Sequence, residues 1–152
     1  MKISTMKTTQ WKTAVQATLH CLIGCTVGEV LGLFLGVYFQ LPAIATISLA
    51  TALAFFIGFS WAIWPLVNQQ GLSIMNAMKV IWLGELLSMG TMELVMNAVD
   101  YTMGGMQASG IDQPVFWIAM GLALPSGFLA ALPVNYWLLK RAIKSPCCHK
   151  KT

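Results

Sequence analysis

Four apolar stretches, Ala14–Phe39, Leu41–Val67, Ser73–Val99 and Val115–Leu139, each run past the roughly 20 residues that a helix needs to cross a hydrocarbon layer about 30 Å thick. Backbone N–H and C=O groups find no water in lipid, so runs of this length read as helices that satisfy their own hydrogen bonds rather than as strands. The breaks between them carry turn chemistry: Gln40-Leu41-Pro42, then Asn68-Gln69-Gln70-Gly71, then Gly104-Gly105 through Gly110 to Pro114. The expected fold is all-α, an integral membrane bundle of four transmembrane helices. One domain covers residues 14–139, with a basic segment at 1–13 and a basic tail at 140–152. The third span is the least apolar, because it holds Lys79, Glu85 and Glu93.

Composition narrows the function classes. Hydrophobic residues are 57% of the chain and charged residues 9%, against roughly 25% charged in ordinary soluble domains. A water-facing surface cannot be made from this set, which excludes a soluble enzyme, and no catalytic set is assigned. The net charge of +4 is concentrated in the flanks: Lys2, Lys7 and Lys12 precede the first run, and Lys140, Arg141, Lys144, Lys150 and Lys151 follow the last. No folded basic face remains for nucleic acid. The positive-inside rule puts both flanks on the cytoplasmic side, N-in and C-in, of a multi-pass protein whose first partner is the lipid bilayer. Trp11, Trp64, Tyr136 and Trp137 then fall at the inner boundary, and Tyr38, Tyr101 and Trp117 at the outer one. Leu22-Ile23-Gly24-Cys25 matches a lipoprotein cleavage box, but the apolar run continues past Cys25 to Tyr38, so processing there is not expected.

Chemistry-bearing residues gather on two spans. On the first, Cys21, Cys25 and Glu29 recur every fourth residue and stack along one face, with His20 beside them. Gly24, Gly28, Gly32 and Gly36 form a neighbouring stripe of small residues, which lets another backbone approach closely. That neighbour is either another helix of the bundle or a second copy of the chain, so a homodimer through the glycine stripe is one expectation. On the third span, Glu85, Met89, Met92, Glu93, Met96, Asp100 and Met103 share an arc of roughly 100°, flanked by Asn97. Leu87, Leu94 and Val95 point elsewhere. An ionisable side chain inside a span costs about 2.5–3.5 kcal/mol on insertion scales and marks a functional site by default. A methionine stripe alone is ordinary core filling, and buried cysteine is ordinarily a small hydrophobe.

Counting about 1.5 Å per residue, Cys25 and Glu85 are expected near the middle of the layer and Glu29 near Met89 and Glu93, while Asn135 returns to the level of His20. The expected site is therefore a ladder of His20, Cys21, Cys25, Glu29, Glu85, Met89 and Glu93, with Met92, Met96, Asn97, Asp100 and Asn135 as secondary polar or soft positions. Thiolate, thioether and imidazole suit copper or zinc, and the carboxylates accept zinc and protons. Binding or translocation of a soft metal ion is the leading expectation, with Met103 and Met106 near Asp100 and Asp112 as an outer collecting loop. A proton relay without metal is a further reading of the acids. Membrane thiol redox chemistry coupled to a quinone is another, although Cys21 and Cys25 sit four apart on a helix and a disulfide there needs a local break at Gly24. The last is a structural or assembly subunit of a membrane complex. In the tail, Cys147-Cys148-His149 reads as a reduced, disordered segment, with metal hand-off or acylation as alternatives.

The segment from His20 through Cys21, Gly24, Cys25, Gly28 and Glu29 resembles the signature of an uncharacterised family of small bacterial membrane proteins, a domain of unknown function. Met92-Glu93-Leu94-Val95-Met96-Asn97, Asp112 with Phe116-Trp117, and Pro133-Val134-Asn135-Tyr136-Trp137 extend the likeness over nearly the whole chain. The resemblance implies a four-helix protein of the bacterial inner membrane and carries no activity with it.

Overall fold

The computed structural model describes residues 2–141 and 143, with the backbone alone for residues 2–9; Cys147, Cys148 and His149 lie outside the described residues. Four helices follow one another: α1 (Lys2–Tyr38), α2 (Ala43–Gln70), α3 (Ile74–Met103) and α4 (Pro114–Lys140). The helix boundaries fall where turn residues stand. Gly71 ends α2 with φ 67 and Gly104 ends α3 with φ 81, both in the left-handed region that glycine enters without a steric penalty. The Ser73 hydroxyl accepts from the Asn76 N–H and caps α3, while Pro114 opens α4 at a position whose missing N–H costs nothing. Between α1 and α2 the left-handed residue is Gln40 (φ 52), held by its own Nε2, which donates to the carbonyls of Val37 (2.6 Å) and Ser109 (3.3 Å).

Two boundaries differ from expectation. Helix α1 starts at Lys2 rather than near 14, because lysine, threonine and glutamine are adequate helix formers and hydropathy registers only the apolar part of a helix. Helix α3 runs four residues past Val99, so Asp100 is a helical residue rather than part of the loop. Three helical segments are long and apolar enough to cross a membrane: residues 10–38, α2 and α4. Helix α3 falls short of them in apolar content, since its acids count against it. Between Val80 and Ala98 its outward residues are nonetheless apolar, among them Val80, Trp82, Leu83, Leu86, Leu87 and Leu94, while Asn76, Lys79 and Thr102 are exposed toward its ends.

The bundle is two tight hairpins laid together. In the first, the glycine stripe of α1 meets a second small-residue stripe on α2, Thr46, Ala50, Ala54, Gly58 and Ala62. A Cβ on Gly28 would overlap the backbone of Leu53 and Ala54, one on Gly32 would overlap Ala50, and one on Gly36 would overlap Thr46. The stripe is thus occupied by α2 of the same chain, and a dimer across it would have to displace that helix. In the second hairpin, α4 lays Ala119, Ala123, Gly127 and Ala131 toward α3, and Met92 and Met96 fill the space over Gly127. Close approach raises the number of dispersion contacts per residue.

The arrangement around the bundle is α1–α2–α3–α4. Helices α1 and α3 touch across the middle, whereas α2 and α4 do not meet. The short diagonal therefore joins the two helices that carry the acids and sulfurs. Small residues on α2 and α4 let those helices close in from both sides without inserting side chains between α1 and α3.

Candidate functional site

The inner face of α3 is a continuous row: Glu85, Ser88, Met89, Met92, Glu93, Met96, Asn97 and Asp100 are all buried. It extends about 22 Å along the helix at 1.5 Å per residue. Opposite it, α1 buries Thr18, Cys21, Cys25 and Glu29. Leu87 and Leu94 face outward as the periodicity predicts, and Val95 is half-buried. Met103 shares the arc by angle but is exposed, since it lies beyond the end of the packed partners.

At one end of the seam, Asn135 of α4 donates from Nδ2 to the Thr18 hydroxyl at 2.9 Å, and that hydroxyl donates to the Ala14 carbonyl at 2.8 Å. Asn135 thus returns to within two residues of His20, as the count of turns predicts. His20 itself stands on the α2 flank of α1, half-buried, its ring 6.0 Å from the Trp61 ring.

One turn on, the site is sulfur. Cys21 Sγ and Cys25 Sγ lie 4.0 Å apart, and the Ser88 hydroxyl donates to Cys21 Sγ at 3.8 Å. Both are free thiols, and α1 continues unbroken through Gly24. Gly58 of α2 leaves the room into which a third sulfur turns: a Cβ there would collide with the Met89 methyl and meet both Met89 Sδ and Cys25 Sγ at 3.4 Å. Met92 and Met96 belong to the same buried cluster. Glu85 is buried close enough to act electrostatically on Cys25.

Further along, the acids gather. Glu29, fully buried on α1, lies within hydrogen-bonding reach of Glu93 on α3. Asn97 Nδ2 is placed against the Glu93 carbonyl (2.9 Å), Glu93 Oε2 (3.4 Å) and Thr51 Oγ1 of α2 (3.3 Å). Both oxygens of Glu29, Oε1 of Glu93, Oδ1 of Asn97 and both oxygens of Asp100 are buried with no hydrogen-bond partner. A buried polar atom left this way costs about 1–3 kcal/mol, and more if charged. Asp100 is buried completely against Gly105 and Ala119.

Glu29 lies level with Glu93, and Glu85 lies close to Cys25, as the count of turns predicts. The seam differs from the sequence expectation in two respects. Met106 is buried among Leu33, Val37, Phe116 and Met120, and Asp112 is exposed, so the loop does not present Met103, Met106 and the two aspartates together. Among the described residues, no three His, Cys, Asp or Glu side chains are close enough to hold one metal ion. Thr18, Ser88, Thr51 and Gly58 join the seam without having been expected there. The four-residue spacing of Thr46, Ala50, Ala54, Gly58 and Ala62 was the available signal for Gly58; the three hydroxyls have none beyond falling on inward faces.

A family model described as Domain of unknown function (DUF4396) matches residues 10–144, nearly the whole bundle. The chain belongs to that family. No curated protein and no solved structure matches this DUF4396 chain. The matched range includes every residue of the seam, from Thr18 to Asn135.

Proposed function

We propose that this DUF4396 protein binds a soft metal ion, copper(I), between Cys21, Cys25 and Met89 and passes it along the seam between α1 and α3. The observation that carries the reading is the 4.0 Å between the two thiol sulfurs, with the Met89 thioether turned toward them over Gly58. Metal–thiolate bonds run about 2.3 Å, so one ion can bridge sulfurs up to about 4.6 Å apart. Soft sulfur donors select copper(I). Zinc is the less favoured ion of the two, because its structural sites ask for four ligands and no third His, Cys, Asp or Glu completes the thiol pair among the described residues.

The setting is a membrane. All four helices cross it, including α3, whose acids face the seam while its outward side between Val80 and Ala98 carries Val80, Trp82, Leu83, Leu86, Leu87 and Leu94. The basic flanks lie in the cytoplasm, and the membrane is the bacterial inner membrane. Trp11 and Tyr136, 5.8 Å apart, mark the cytoplasmic boundary.

The test is copper(I) titration of the purified, reduced protein against a colorimetric chelator, with elemental analysis of the product. Wild type retains close to one copper per chain, and Cys21→Ser/Cys25→Ser retains none. Equal retention by both proteins ends the proposal. Thiol trapping after addition of a soluble quinone runs beside it: quinone-dependent loss of both thiols without copper retention would assign the pair to redox chemistry instead.

A further inference from the structure

The acids one turn beyond the sulfurs are not needed to hold a soft ion, and their surroundings call for a different ligand. Glu29 and Glu93 come from different helices, both buried, with their carboxyl groups within hydrogen-bonding reach of one another and three of the four carboxyl oxygens without a partner. Two carboxylates are both acceptors, so they cannot bond to one another without a hydrogen between them. No other group supplies one. The Asn97 amide has two hydrogens for three nearby acceptors, and of the four carboxyl oxygens of the pair it reaches only Glu93 Oε2. Its own Oδ1, buried beside the pair, is a further acceptor left without a donor. Helix α2 contributes Thr51 and contains no titratable residue, and α4 contains only Tyr136 and Lys140, both in its last turns. From α1 the neighbours are Cys21 and Cys25; from α3 they are Glu85 and Asp100. None is a cation, and among the described residues no ion pair involves Glu29 or Glu93.

We propose that Glu29 and Glu93 form a proton-binding site in the middle of the bundle, one exchangeable hydrogen being held between the two carboxyl groups. A neutral acid of one residue donates to the carboxylate of the other, which satisfies one orphaned oxygen on each side and removes one of two charges. The site lies one turn of α1 from Cys25, so the protein has separate places for a soft ion and a proton along the same seam. The inference goes beyond the copper reading and stands whether or not copper binds.

Infrared difference spectroscopy of the metal-free protein in lipid nanodiscs tests it, with transfer between H2O and D2O as the perturbation. Wild type shows a protonated-carboxyl C=O band that shifts on deuteration. The band shifts or disappears in Glu29→Gln and in Glu93→Gln alike, and is unchanged in Asp112→Asn, whose carboxyl is on the exposed loop. Near-ultraviolet circular dichroism confirms that the isosteric variants are folded; where one is not, 13C labelling of glutamate in the wild type still assigns the band. Absence of any protonated-carboxyl band in wild type, or a band indifferent to both glutamine substitutions, overturns the proposal.

Discussion

Glu29 of α1 meets Glu93 of α3, not Glu85, and both carboxyl groups lie inside the bundle. Glu85, two turns of α3 away from Glu93, is buried next to Ser88 and Met89 in the row, and both Glu93 and Glu85 lie near Cys25. The seam thus divides into a sulfur part and an oxygen part, and substitutions in the two parts should have different consequences.

Removing the thiols should abolish copper retention while leaving the fold intact, because Cys→Ser is nearly isosteric. For wild type, apparent copper affinity should fall as pH is lowered, since thiols must lose protons to become ligands and protons compete with the metal. Titrations across a pH series measure this. An affinity independent of pH would argue against thiolate ligation.

Copper passage into proteoliposomes should fall to background in Glu29→Ala and Glu93→Ala and be unchanged in Leu87→Ala, whose side chain faces outward. Loss in all three variants alike would point to general destabilisation and not to the seam.

A packed glycine and an exposed one make opposite predictions for replacement. Gly28→Ala places a methyl against the backbone of Ala54 and should cost about 1–3 kcal/mol, as overpacking does. Gly121→Ala on the exposed side of α4 meets nothing within 4 Å and should be neutral or stabilising by up to about 1 kcal/mol, the helix-propensity difference. Thermal unfolding in a mild detergent reports both signs.

Asn135→Ala should destabilise the protein by about 1–3 kcal/mol, because it deletes the Nδ2 bond that ties α4 to Thr18 of α1 in a buried setting. In a double-mutant cycle, Thr18→Val should add little once Asn135 is gone. Independent, additive losses would show that the 2.9 Å contact carries no coupling.

Much of this was legible in the chain. Period and length alone specify four helices, Gly71 and Gly104 specify where two of them stop and Pro114 where the last begins, since left-handed caps and a missing N–H are local properties of a residue. The helical period also separates Glu85, Met89, Glu93 and Asp100 from Leu87 and Leu94, because a helix carries its faces with it wherever it packs. The partners across the seam are a different matter. Which turn of α1 meets which turn of α3 depends on how far one hairpin slides on the other, and that is decided by contacts between the hairpins, such as Met89 in the room left by Gly58 and the Asn135–Thr18 bond. A shift of about two turns, roughly 12 Å, would exchange Glu93 for Glu85 as the partner of Glu29 without altering any face. Loop depth behaves in the same way: Met106 is buried because Leu33, Val37 and Phe116 come together around it, and no local pattern records that meeting. Faces follow from the chain's own geometry, whereas register follows from contacts between helices, which exist only once the bundle is assembled.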